Sequence, residues 1–186
     1  MARKSRKAPR ARKPAARKPA RKAAKKVQAI PEAYGSVTPH LVLKDSARAI
    51  EFYAKALGAR VLTHMKDPGG KTMHAEIKIG DRIVMLGDEA PDRGILSAES
   101  LGGTPAGLML YVKDCDAVYA RAVAEGAKPL TPPADMFWGD RYGDFLDPFG
   151  HRWSVATRKA NMTPRQMEKA GAEFMAKMAA GAPPAA

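Results

Sequence analysis

Apolar residues recur along this chain with two different periods, and the order in which those periods alternate predicts the architecture. After an opening segment with almost nothing to bury, Val37, Leu41, Val42 and Leu43 read as a strand with Pro39 near its start. Ile50, Tyr53, Ala54 and Leu57 then recur at helical spacing, between Asp45 or Ser46 as cap and Gly58 as a left-handed stop. Three strands follow, over residues 59–66, 73–79 and 82–87, joined by Asp67-Pro68-Gly69-Gly70 and by Gly80-Asp81. Residues 88–104 read as a closing loop.

The same order then repeats: a strand at 107–112, a helix at 114–125, irregular strands at 129–137 and 141–146, the turn Asp147-Pro148-Phe149-Gly150, and a strand at 151–157. Lys44-Asp45 and Lys113-Asp114 stand 69 residues apart, and Gly58-Ala59 and Gly126-Ala127 stand 68 apart, which marks an internal duplication. Thr163, Pro164 and Gln166 form a capping box for a last helix whose Met167, Phe174 and Met178 share a stripe. That stripe packs on the domain or on a second subunit, or else offers a Met-rich ligand surface.

Strand alternation assigns faces. Leu41 and Leu43 face the helix and leave Thr38, His40 and Val42 on the other side; Ala75, Ile77 and Ile79 do the same for His74, Glu76 and Lys78. Trp153 falls opposite Ser154 and belongs to the core. The expected fold class is α+β: two tandem βαβββ units plus a C-terminal helix. The expected boundaries are a disordered tail at 1–30, a paired domain at 36–160, the helix at 161–180 and a disordered end at 181–186.

Charge changes the picture at one end only. All 13 ionisable residues before Val27 are basic: Arg3, Lys4, Arg6, Lys7, Arg10, Arg12, Lys13, Arg17, Lys18, Arg21, Lys22, Lys25 and Lys26. The rest of the chain carries 19 basic and 19 acidic residues, so the net charge of +13 sits in the tail and the fold is neutral. Such a tail predicts salt-sensitive, sequence-independent contact with DNA or RNA, without base readout because it contains no aromatic. Attraction to anionic membranes or a role in solubility alone are the competing readings.

The single Cys115 excludes an internal disulfide framework and a Cys-rich zinc site, and reads as inert packing. No apolar run is long enough to span a membrane, and the tail lacks both the apolar centre of a secretory signal and the proline-free helix of a mitochondrial one. A cytoplasmic location is expected, with nucleoid association if the tail holds nucleic acid.

The segments Ala49-Ile50-Glu51-Phe52-Tyr53, Leu57-Gly58-Ala59, Trp138-Gly139-Asp140-Arg141-Tyr142-Gly143 and Asp147-Pro148-Phe149-Gly150-His151-Arg152-Trp153, set on two tandem units, resemble the vicinal-oxygen-chelate superfamily. The last two of these segments look more particularly like its PhnB-like glyoxalase/bleomycin-resistance/dioxygenase branch, and the resemblance covers about residues 37–178. The resemblance implies curved mixed sheets around a cleft with the helices outside. It further implies, in the metal-dependent members, His and Glu ligands on the first and last strands of each unit. Here those positions carry Thr38, Met85, Gly107 and Ser154, none a usual ligand for a divalent ion.

The favoured reading is therefore a dimeric binder of a small organic molecule, lined by Thr38, His40, Met85, Met109, Tyr111, Trp138, Arg141 and Ser154, with Phe137 and Tyr142 adding aromatic surface. No cofactor is expected. The alternative is a glyoxalase- or dioxygenase-type enzyme with a divalent metal relocated to His40, His74 and Glu76; the bland reading pairs His74 with Glu76. Arg141 either clamps a carboxylate or phosphonate or pairs with Asp140, Asp144 or Asp147. His64 and His151 read as surface or turn residues. No serine hydrolase elbow is present.

Overall fold

The computed structural model describes residues 29–31 and 34–181. The cationic residues from Arg3 to Lys26 and residues 182–186 lie outside the described residues, so the expectations placed on them have no structural counterpart here. Two four-stranded mixed sheets are each formed by one unit. The first contains β1 (His40–Leu43), β2 (Arg60–Lys66), β3 (Thr72–Ile79) and β4 (Arg82–Asp88), in the order β1-β4-β3-β2, with α1 (Ser46–Leu57) crossing between β1 and β2. The connection 88–104, expected as plain loop, contains a 3-10 turn at Pro91–Arg93 and the short helix α2 (Ala98–Leu101). The second sheet contains β5 (Gly107–Tyr111), β6 (Lys128–Asp135), β7 (Asp140–Leu146) and β8 (Arg152–Arg158), in the order β5-β8-β7-β6, with α3 (Cys115–Ala124) crossing between β5 and β6. The last helix, α4 (Pro164–Ala179), carries the full capping box of Thr163 and Gln166.

The duplication is visible atom by atom. Asp45 and Asp114 cap α1 and α3 by accepting from the backbone N–H groups of Arg48 and Ala117, each worth about 1 kcal/mol. The next residue in each unit, Ser46 or Cys115, donates its N–H to a side chain at the end of the last strand: Asp88 in one unit and Thr157 in the other. Those acceptors also stand 69 residues apart. The chemistry differs, but the backbone demand that each satisfies is the same.

The core is shared between the units. Leu41, Leu43, Ala75, Ile77 and Leu86 pack with α1, as alternation predicts, and the same cluster takes in Val118, Phe145, Trp153 and Val155 from the second unit. At its centre the buried Asp147 carboxylate accepts four hydrogen bonds. Its Oδ2 takes them from Tyr53 OH at 2.7 Å and Trp153 Nε1 at 3.0 Å, and its Oδ1 from the backbone N–H groups of Phe149 and His151. Tyr53 is fully enclosed, and burial first, then the Asp147 charge, push its phenol far above the ordinary range. Phe52, Tyr53, Phe149 and Trp153 surround this point at edge-on and tilted angles.

Asp147→Ala, which leaves the Tyr53 hydroxyl and the Trp153 N–H buried without an acceptor, should cost about 3–5 kcal/mol in urea unfolding, against about 1–2 kcal/mol for Tyr53→Phe. A second expectation concerns the connection. Hydrogen bonds from Ser97 and then Ser100 lower the Glu89 carboxyl to about 2. Because the folded value is depressed, this anchoring is complete above the ordinary Glu value and is lost as pH falls from about 4.5 towards about 2. The Ser97 and Ser100 amide resonances should follow that loss on acid titration, and Glu89→Gln should flatten the response.

Candidate functional site

Each sheet turns one face to its helix and leaves the other open. On the first sheet the register places His40 beside Met85, Met85 beside Glu76, and Glu76 beside Thr63, in one row across β1, β4, β3 and β2. One step along, Val42 pairs with Gly87 and His74 with Met65. His74 Nε2 lies 3.1 Å from Glu76 Oε1, and the same oxygen accepts from Tyr34 OH at 2.7 Å. The Tyr34 hydrogen bond, then that of His74, lowers the Glu76 carboxyl, while Glu76 in turn raises the Tyr34 phenol. Partial desolvation lowers the His40 imidazole, and the nearby His74 lowers it further. Alternation thus correctly predicts the face that His40, His74 and Glu76 share. Among the described residues, however, no group of three or more His, Cys, Asp or Glu is spaced to hold a metal ion.

The open face of the second sheet has a different chemistry. Met109 sits beside Ser154 and Tyr111 beside Ala156, and Ser154 Oγ and Tyr142 OH form a hydrogen bond of 2.9 Å. Trp138, in the turn before β7, packs edge-on against Tyr142 with ring centres 5.6 Å apart. Two arginines that the sequence reading passed over stand at the ends of β8. Arg152 pairs with Asp144 through both carboxylate oxygens. Arg158 Nε lies 2.6 Å from Asp140 Oδ1, an ion pair without hydrogen-bond alignment, and its guanidinium lies over the Tyr111 ring. Both aspartates are buried, so each arginine neutralises a charge that would otherwise be costly there. The signal was present: Asp140, Tyr142 and Asp144 alternate on β7, and Arg152, Ser154 and Arg158 share the matching face of β8.

Two expectations need correction. Arg141 does not face the cleft. It lies on the helix side of β7, where its Nε and Nη2 bind the Asp116 carboxylate of α3 at 2.6 and 2.7 Å and Nη1 reaches Asp135. Its expected partners are otherwise occupied, Asp140 by Arg158, Asp144 by Arg152 and Asp147 by Tyr53 and Trp153. His151 is no surface residue: it is buried, with Nε2 3.4 Å from the Val42 carbonyl of the other unit. His64 belongs to β2 and bonds Thr72 Oγ1. Cys115 is buried, and that burial raises its thiol above the usual value, which keeps it unreactive.

A cavity of about 660 Å³ opens at the seam between the units. Its walls are the segment 34–39, the turn joining β3 to β4 and the whole of β5. Of the predicted lining it contains Met109 and Tyr111, with Tyr34, Ile79, Arg82 and Leu110 beside them. Thr38 turns its hydroxyl to the Tyr34 carbonyl. His40 and Met85 lie on the open face of one sheet, and Ser154 and Trp138 border that of the other, so the predicted lining is divided between two surfaces and a seam. Phe137 stacks on Phe174 of α4, with centres 5.2 Å apart, which fixes that helix to the β6–β7 turn.

Comparison with known proteins agrees with this architecture. Residues 35–155 match the family described as the Glyoxalase/Bleomycin resistance protein/Dioxygenase superfamily. An uncharacterised protein of Mycobacterium bovis is 44% identical over 132 residues, spanning 68% of this chain and 87% of that protein. One from Mycobacterium tuberculosis has the same identity over 78% of its length. Among solved structures, TioX from Micromonospora superimposes with a TM-score of 0.53 at 27% identity, covering 67% of this chain and 99% of that one. A PhnB protein from Bacillus cereus shares the fold, with a TM-score of 0.53 at 15% identity over 66% of this chain and 98% of its own. Two tandem βαβββ units around one aromatic core, a family match over most of the folded region, and relatives of this closeness have one explanation: the chain belongs to the glyoxalase/bleomycin resistance protein/dioxygenase superfamily.

Proposed function

We infer that this protein binds a small, flat and largely apolar organic molecule at the seam between its units, without the divalent metal used by other members of the superfamily. The observation that carries the reading is the seam cavity. It is walled by methionine, tyrosine and aliphatic side chains and has few polar groups, among them Tyr34, Arg82 and Asp81. Met109 and Tyr111 continue it onto the open face, where Ser154 and Tyr142 supply hydroxyls and Trp138 supplies a stacking surface.

The donor set at the four usual metal positions does not fit a hard or borderline divalent ion. Gly107 has no side chain, Met85 is a thioether, and the hydroxyls of Thr38 and Ser154 are engaged by the Tyr34 carbonyl and Tyr142. No reaction step is therefore assigned to such a metal. Large apolar side chains remain uncovered on both sheets, including Met65, Met73, Met109 and Tyr111, and a second copy of the chain is the partner that would cover them.

Trp153 is nearly enclosed but forms part of the wall of the seam cavity, whereas Trp138 is half-buried at the edge of the open face, so the fluorescence of Trp153 should report ligand in the seam. Screening aromatic and polycyclic compounds should find saturable quenching that persists in Trp138→Phe. Tyr111→Ala should weaken binding about tenfold for the loss of one stacked ring contact. Binding that is indifferent to Tyr111 and Met109 would remove the seam from consideration.

The segregation of charge favours a second role. With 13 cations before Val27 and none of the acids, the tail is suited to phosphate backbones, while the neutral fold is not. The full chain should bind duplex DNA with an affinity that falls steeply with salt. A chain lacking residues 1–26, which keeps the Tyr34 anchor, should lose that binding and keep its fold. Equal binding by the shortened chain would discard this role.

A further inference from the structure

The open face of the first sheet contains donors that the proposed ligand site does not use. His40 stands on β1 and His74 on β3, with β4 between them, a backbone separation of about 10 Å at ordinary strand spacing. The residue of β4 between the two imidazoles has no side chain. Continuing the register from Ala75 and Leu86 by one residue sets His74 beside Gly87. A Cβ built at Gly87 would lie 3.5 Å from His40 Nε2. His40 therefore leans over Gly87 towards His74, and the gap left by the missing side chain is where the two rings approach. One thioether borders it, that of Met85, the strand partner of His40 and two residues before Gly87 on β4; Met65 lies on the far side of His74.

The surrounding groups prepare these nitrogens as ligands. His74 Nε2 is held by Glu76, and a proton shared there leaves Nδ1 with its lone pair free. Glu76 is fixed in turn by Tyr34, so a carboxylate orients the imidazole and a phenol orients the carboxylate. With Glu76 engaged by two neighbours, the donors left around the gap are two nitrogens and the Met85 sulfur.

We propose that His40, His74 and Met85 form a site for a soft monovalent metal ion, copper(I), over Gly87 on the open face of the first sheet. Imidazole accepts copper and thioether sulfur selects its reduced state, whereas a thioether does not attract magnesium, manganese or calcium. The site is independent of the seam cavity, and of the four positions at which other members of the superfamily hold a divalent ion it uses only that of Met85.

The test is an anaerobic competition of the full-length protein against a chromogenic copper(I) chelator, with zinc(II) titrated in parallel. One copper(I) per chain should be withdrawn from the chelator, in preference to zinc(II). His40→Ala and His74→Ala should each abolish that stoichiometric binding, and Glu76→Gln should weaken it about 10- to 100-fold while leaving the circular dichroism unchanged. Gly87→Ala gives a separate check, because the added methyl makes only ordinary contacts yet fills the space between the imidazoles; it should weaken copper with all three donors intact. Failure to retain copper(I) would overturn the proposal. So would preference for zinc(II), which would return the site to a divalent one, or copper retained by both histidine variants, which would place it on methionines elsewhere.

Discussion

The fold depends on one buried carboxylate. Asp147 lies in the turn that opens β8, yet half of its hydrogen bonds reach beyond that turn, to the Trp153 indole and to the Tyr53 hydroxyl of α1, 94 residues away in sequence. A carboxylate in an apolar core is tolerated only when its lone pairs are met, and four donors at 2.7 to 3.0 Å meet them here. Each donor belongs to an element whose position matters. The two backbone N–H groups shape the turn that sets the register of β8, the indole ties β8 to the core, and the phenol fixes α1 of the other unit against it. His151, from the same turn, adds a contact to the Val42 carbonyl. Trp153, held in this way, also forms part of the wall of the seam cavity.

Around that anchor the two units have kept a scaffold and exchanged their chemistry. Positions 69 apart still perform the same backbone service, as Asp45 and Asp114 do for the helix starts and Asp88 and Thr157 for the residue after each cap. The open faces have diverged. Where the first sheet presents His40 and Met85, the second presents Met109 and Ser154; where the first has one carboxylate shared by a phenol and an imidazole, the second has two arginine–aspartate pairs. Backbone hydrogen bonds and core packing constrain both units equally, whereas a half-exposed face is free to change. A likeness of fold to the superfamily therefore carries little about ligand chemistry, which has to be read from each face separately.

What the sequence alone determined was whatever depends on near neighbours. The caps at Asp45 and Thr163, the stop at Gly58, the inward set Ala75, Ile77 and Ile79, the core position of Trp153, and the segregation of charge are all phases or compositions of short segments, and the structure matches those that fall within it. Period-2 alternation also identified the face shared by His40, His74 and Glu76. It gives each side chain a face of its own strand but says nothing of what stands opposite that face. Only the tertiary structure decided that Arg141 reaches Asp116 of α3, that His151 is buried against the other unit, that Arg152 and Arg158 neutralise buried aspartates, and that the expected single lining is divided between two faces and a seam. These contacts join residues remote in sequence, and they follow from how two separately formed units dock, which no local periodicity encodes.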